Sequence, residues 1–174
     1  MISCRYRTFF LLFILTAGII FSSLAQKPRK ILIRKADLLV SEEWNDTTVN
    51  ILRGSVVFEH DGALMYCDSA YMYDVQNSFD AFGSIHIHAK DSLDLYSDVL
   101  YYEGNTRLAE MHYNVRLIDR TTTLFTEHLY YDRNLKEAHY PDSGRIVDGE
   151  NVLTSLNGYY LTEPREFRFR QKVV

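Results

Sequence analysis

Cysteine is nearly missing from this chain: only Cys4 and Cys67 occur in 174 residues, and Cys4 lies beside the amino-terminal apolar run. A single remaining thiol excludes an internal disulfide framework, so the fold must rest on packing and strand pairing. Proline occurs three times, and no window carries an apolar stripe of helical period, which excludes a helical bundle. The longest apolar run, Phe9 to Phe21, is 13 residues, short of the roughly 17 to 25 that a membrane-spanning helix needs. Positive charge is not in excess either, with 19 basic against 23 acidic residues, and this disfavours nucleic acid as a partner. There is no Ser-His-Asp arrangement, phosphate-binding glycine loop or zinc-type spacing.

Arg5 and Arg7 precede the apolar run, and Ser23-Leu24-Ala25 ahead of Gln26 has the small-x-small form of a signal peptidase site. Residues 1–25 are therefore expected to be a cleaved secretory signal, and residues 26–174 one exported domain. Those two arginines are the only charges in the signal, so the remainder carries 17 basic and 23 acidic residues. Over the whole chain a hydrophobic content of 47%, with 14% aromatic, excludes a disordered chain.

A short word recurs along this domain. Tyr66-Cys67-Asp68-Ser69-Ala70-Tyr71 returns as Tyr96-Ser97-Asp98-Val99-Leu100-Tyr101, as Phe125-Thr126-Glu127-His128-Leu129-Tyr130, and as Thr154-Ser155-Leu156-Asn157-Gly158-Tyr159. Its small polar residue falls at 67, 97, 126 and 155, a Tyr always follows four places later, and Met65, Leu95, Leu124 or Leu153 stands two places before. A fixed period of this size marks a repeat architecture whose units stack to bury a shared apolar face. Residues 31–40 read as a degenerate first unit with two short strands, and Ser41 to Asp46 as a turn-rich connection. The period places the start of a further unit at 173, so the domain is expected to break off as another repeat begins.

A second column opens each unit: Gly54-Ser55-Val56-Val57-Phe58, Gly83-Ser84-Ile85-His86-Ile87, Asn114-Val115-Arg116-Leu117 and Gly144-Arg145-Ile146-Val147. Gly or Asn there tolerates positive φ and suits a bend or bulge between strands. Beyond it apolar residues alternate with polar ones, placing Val56 with Phe58, Ile85 with Ile87 and Val115 with Leu117 on one face. Polar turns and further strands carrying Ala81, Ala109, Ala138 and Phe167 complete the units, so the chain is all-β, with antiparallel strands of roughly 5 to 8 residues. Tyrosine doublets such as Tyr101-Tyr102, Tyr130-Tyr131 and Tyr159-Tyr160 suit a core whose hydroxyls stay near water.

Two constellations invite chemistry. His86 and His88 share a strand face as a metal pair would, yet no other unit repeats them, and a solvated polar face explains them as well. Asp68, Asp98 and Glu127 form a carboxylate column, but Leu156 replaces it in the fourth unit, so a capping device explains it better than acid–base catalysis. Cys67 occupies a column of Ser and Thr and reads as a small buried residue. No catalytic residue, metal or cofactor is assigned, and the chain is not read as an enzyme.

The signal, the units of about 30 residues, the G-x-[VI]-x-[FI] start and the [CST]-[DE]-x-x-Y centre together resemble the OstA-like family. That family is related to the lipopolysaccharide transport protein LptA and the amino-terminal domain of LptD. Cys67-Asp68-Ser69-Ala70 and Ala81-Phe82-Gly83-Ser84-Ile85 are similar to the form found in the Bacteroidetes group. The resemblance implies an open, twisted β-jellyroll, periplasmic and possessing no catalytic residues. It implies lipid A acyl chains of lipopolysaccharide in a groove between two sheets, other Lpt transport components as partners, and head-to-tail self-association through edge strands. The groove would then be lined by Val56, Phe58, Met65, Ile85, Ile87, Leu95, Val115, Leu117, Leu124, Ile146 and Leu153. Two rivals are a cupin-type jellyroll metalloenzyme using His86 and His88, and a purely structural envelope repeat protein.

Overall fold

The computed structural model describes residues 29–89 and 93–171, with side chains as far as Phe169; the expected signal lies outside the described residues. Among the described residues there are thirteen strands: β1 (Leu32–Lys35), β2 (Leu38–Trp44), β3 (Thr47–His60), β4 (Ala63–Tyr73), β5 (Ser78–Ala89), β6 (Leu93–Glu103), β7 (Leu108–Asp119), β8 (Thr122–Asp132), β9 (Glu137–Tyr140), β10 (Gly144–Asp148), β11 (Asn151–Ser155), β12 (Asn157–Leu161) and β13 (Glu166–Gln171). Every pairing is antiparallel, as short polar turns between successive strands require.

The central strands, β3 to β8, are 11 to 14 residues long, about twice the expected length. The Gly column explains the difference. The chain does not turn there; it bulges and continues. Register slips between Arg53 and Val56, between Phe82 and Ile85 and between His112 and Val115, where two successive residues take positive φ: Gly54 and Ser55, Gly83 and Ser84, Tyr113 and Asn114. Each bulge bends its strand. The aligned bends fold the sheet into two facing leaves.

Leaf I runs β1, then the His60 halves of β3 to β8 and their register partners, then β10 and β11; leaf II runs β2, the opposite halves, then β9, β12 and β13. At both ends the chain breaks where the bulge would stand, so each leaf ends in its own edge strand. β2 extends to Trp44, because Ser41 to Trp44 pair with Thr47 to Asn50; the expected connection there is strand.

The signature word supplies the hinge. Ser97 Oγ donates to Val99 O at 3.0 Å and Thr126 Oγ1 to His128 O at 3.3 Å, tying the corner two residues on. Asp68 accepts from Ser84 Oγ at 2.9 Å and Asp98 from Asn114 Nδ2 at 2.6 Å, so the carboxylate of one unit clasps the bulge of the next. In the first unit Asp37 holds the bulge through its backbone N–H, which donates to Arg53 O at 3.1 Å and Gly54 O at 2.9 Å, and a Cβ on Gly54 would strike its carboxylate. Cys67 is buried in the same column, and burial, with Asp68 adding, pushes its thiol up to about 12.

Gly83 has φ +76, and a Cβ there would come within 2.5 Å of Asp68 Oδ2, so strain and collision coincide. Gly83→Ala is expected to lower stability by about 2 kcal/mol or more in urea unfolding. Gly149→Ala, at φ +59 with nothing within 4 Å of the new Cβ, is expected to cost only about 1 kcal/mol. Equal losses would mean that the Asp68 clasp carries no weight.

Candidate functional site

The space between the leaves is the candidate site. Alternation along each strand turns one apolar column inward from leaf I, and the structure places Val56, Phe58, Met65, Ile85, Ile87, Leu95, Val115, Leu117, Leu124 and Ile146 in the interior, none more than 3% exposed. Leu153 departs from expectation at 39% exposure. It pairs with the buried Ile146, but among the described residues β11 pairs with β10 alone and no further strand covers it.

Leaf II supplies an equal face that the groove residues read from sequence omit: Leu52, Phe79, Leu100, Met111 and Leu129, with Tyr102, Tyr131, Tyr140 and Tyr160. The tyrosine doublets carried the signal, since alternation sends Tyr102, Tyr131 and Tyr160 in and leaves Tyr101 and Tyr130 exposed. The leaves interlock at Phe58 of leaf I, which stacks on Phe79 of leaf II with ring centroids 4.2 Å apart. The interior is thus filled by its own side chains, from Ile31 at one end to Ile146 and Tyr160 at the other.

On the hinge side the leaves are joined by continuous strands. On the turn side, among the described residues, side chains join them together with the main chain of Arg29 to Ile31, whose Arg29 O accepts from His60 of leaf I and from Asn77 of leaf II. His60 at the end of β3 meets Tyr102 from leaf II, with Nδ1 2.7 Å from the Tyr102 hydroxyl and Nε2 2.9 Å from Arg29 O. A carbonyl can only accept, so Nε2 carries the proton, Nδ1 accepts from Tyr102, and Tyr102 accepts in turn from Arg133 Nη1 at 2.9 Å. Arg133 also donates to His60 O at 3.2 Å, and Arg107 pairs with Asp61 at 2.6 Å. Further along, Asp119 of leaf I accepts from Tyr160 at 2.8 Å and from Arg165 at 3.2 Å. On the hinge side, where β11 passes into β12, the Tyr140 hydroxyl meets Ser155 Oγ at 2.6 Å. Arg29, Asp61, Arg107, Asp119, Arg133 and Arg165 border a polar cleft of about 420 Å³ along the turn-side seam.

His60 makes the seam sensitive to acid. Burial, seconded by the charges of Arg133 and Arg107, holds its pKa below 6.5 against the opposing pull of Arg29 O and Asp61. The unfolded chain then binds a proton that the folded chain refuses. Its contribution is complete above about pH 6.5 and is lost, by up to about 1.4 kcal/mol per pH unit, as pH falls toward the depressed folded value. Stability measured from pH 7.5 to 5 is expected to show this slope, and His60→Gln to flatten it.

The other candidate residues lie elsewhere. Asp68 and Asp98 are spent on bulges, while His86 and His88 stand on the outer face of leaf I, away from the interior where a cupin-type reading needs them.

A search of curated proteins finds no match. Among solved structures the chain is similar to LptH, described as the LptA-homologous periplasmic component of the lipopolysaccharide transport device of Pseudomonas aeruginosa. The identity is 12% and the TM-score 0.33, over 84% of this chain and 93% of that one. The family model for OstA-like proteins matches residues 28–174, a span that takes in every repeat, both leaves and the whole seam, and the chain therefore belongs to the OstA-like family.

Proposed function

We propose that this chain is a periplasmic lipopolysaccharide transport protein serving outer-membrane assembly, and that it shelters the acyl chains of lipid A between its leaves. The observation that carries the reading is the apolar interior, which continues across the stacked units from the β1 and β2 edges to the β11 and β13 edges. Each buried CH₂ is worth about 0.8 kcal/mol, so a multi-chain lipid crossing water needs a long apolar enclosure of this kind. Similar repeats give similar binding at each step, which favours passive movement along the trough with energy supplied elsewhere.

Because the interior is packed, acyl chains enter by displacing side chains and parting the leaves. The turn-side seam is where they part, since among the described residues no strand runs across it and its joints are hydrogen bonds and ion pairs. Val56, Phe58, Met65, Ile85, Ile87, Leu95, Val115, Leu117, Leu124 and Ile146 then contact lipid, and Leu153 does so on β11. Partners are other Lpt components and further copies joined head to tail. Leu38, Leu39 and Trp44 are exposed at one edge and Val152, Leu153 and Leu156 at the other, apolar surface suited to such joints.

Titrating the purified protein with lipopolysaccharide and with its fully deacylated form tests the reading. Saturable binding of the acylated form, at least tenfold tighter than the deacylated one, is expected. Equal binding of the two would contradict acyl-chain recognition.

A further inference from the structure

The outer face of leaf I carries a cross-strand file of Tyr66, His86, Tyr96, Arg116, Phe125 and Arg145, each the register partner of the next. Within it the His86 ring lies 4.5 Å from that of Tyr96, nearly parallel, and 5.5 Å from that of Tyr66. The imidazole is held between two phenol rings. His88, two residues along β5, shares this face, and its register partner on β6 is Asp94.

We propose that His86, His88 and Asp94 form a binding site for one divalent transition-metal ion of the zinc type. The sequence offered two donors and no metal; pairing of β5 with β6 brings the third. His86 Nε2 lies 2.7 Å and His88 Nδ1 2.8 Å from the same oxygen, Asp94 Oδ1, and the three donor atoms fall within 4.8 Å of one another. Both imidazoles therefore aim at one point. Among the described residues this is the one group of three such donors.

Zinc bonds of about 2.0–2.2 Å in a tetrahedron set ligand atoms roughly 3.4 Å apart. Asp94 Oδ1 would retreat by about 0.6 Å and the two imidazole nitrogens, within 4.8 Å of each other, would draw together by up to about 1.4 Å to admit the ion, both by side-chain rotation. Each imidazole's shared proton moves to its other ring nitrogen, so the ligands keep their charge. Two nitrogen donors and one oxygen favour zinc, nickel, cobalt or copper over magnesium or calcium, which prefer all-oxygen shells. Three protein ligands leave the fourth position to water. The side chains of His86, His88 and Asp94 are 32%, 52% and 27% exposed, so the ion arrives from solvent without the leaves parting. Bound there, it clamps β5 to β6 from outside.

The test is calorimetric titration of the purified protein, free of any polyhistidine tag, with zinc chloride. One ion per chain is expected, with binding weakened at least tenfold in both His88→Gln and Asp94→Asn, substitutions on half-exposed positions that leave the interior untouched. His112→Gln, on leaf II, should bind as the native protein does. Saturating zinc should also raise the melting temperature by roughly 5 °C in the native protein and not in Asp94→Asn. No saturable binding below about 1 mM zinc, or equal binding by His88→Gln and Asp94→Asn, would overturn the assignment.

Discussion

Phe58→Ala is expected to destabilise the protein by about 3 to 5 kcal/mol. Phe58 is fully buried, and its ring stacks at 4.2 Å on Phe79, which in turn meets Tyr102 at 5.3 Å. Truncation removes the transfer free energy of the ring, leaves a cavity between two leaves whose strands run from one to the other through the hinge, and forfeits an aromatic stack worth about 1 kcal/mol. A domain of this size has about 5 to 15 kcal/mol in total, so the loss is a large part of it. Urea unfolding measures it as a fall in midpoint at unchanged slope. Phe58→Leu, which refills most of the space, should cost markedly less. A loss below about 1 kcal/mol for Phe58→Ala would mean that the leaves do not pack through this stack.

The second large effect belongs to the seam. Asp119→Ala is expected to cost about 2 to 4 kcal/mol, because it strands the Tyr160 hydroxyl in a site 1% exposed. Burial first, and Asp119 second, raise the Tyr160 pKa above its ordinary value, so the hydroxyl stays protonated and donates. Arg165 contributes little to the figure, since its side chain is 40% exposed and the pair is screened by solvent. Removing both partners should cost less than the sum of the single losses. In the cycle of Asp119→Ala, Tyr160→Phe and the double variant, a coupling of about 1 to 3 kcal/mol is expected. Additive losses would show that this bond does not hold the leaves together. Asp119→Ala should also speed amide exchange along the turns, where the leaves part, more than at the bulges.

Much of this was legible in the sequence because repetition lets one unit check another. The interchange of Cys67, Ser97, Thr126 and Ser155 pointed to packing and capping, and all four sit buried on the hinge side. Gly54, Gly83 and Asn114 marked the bends. What the residues did not disclose was that the chain continues through those bends: a positive-φ residue suits a turn and a bulge equally, and only register with the neighbouring strand separates them. The same holds for β2, whose Ser41-Glu42-Glu43 reads as a connection until pairing with Thr48 to Asn50 makes it strand.

Burial of polar groups was the least legible feature. His60 and Asp119 end strands beside polar turns, where local pattern reads them as solvated. Their burial comes from Tyr102 and Tyr160, 42 and 41 residues away, which arrive only when the leaves close. Asp94 was missed for a related reason. Its partnership with His86 and His88 follows from the register of β5 on β6, which spacing alone does not fix.

The measurement that tests the central claim most directly is site-specific photocrosslinking in the presence of lipopolysaccharide. A photoreactive side chain at Ile87 or Leu117, both inward, is compared with one at Arg116, which lies on the outer face over Tyr96. Adducts at Ile87 and Leu117 and none at Arg116 are the predicted result. Equal labelling of both faces, or labelling at Arg116 alone, would contradict a lipid path between the leaves.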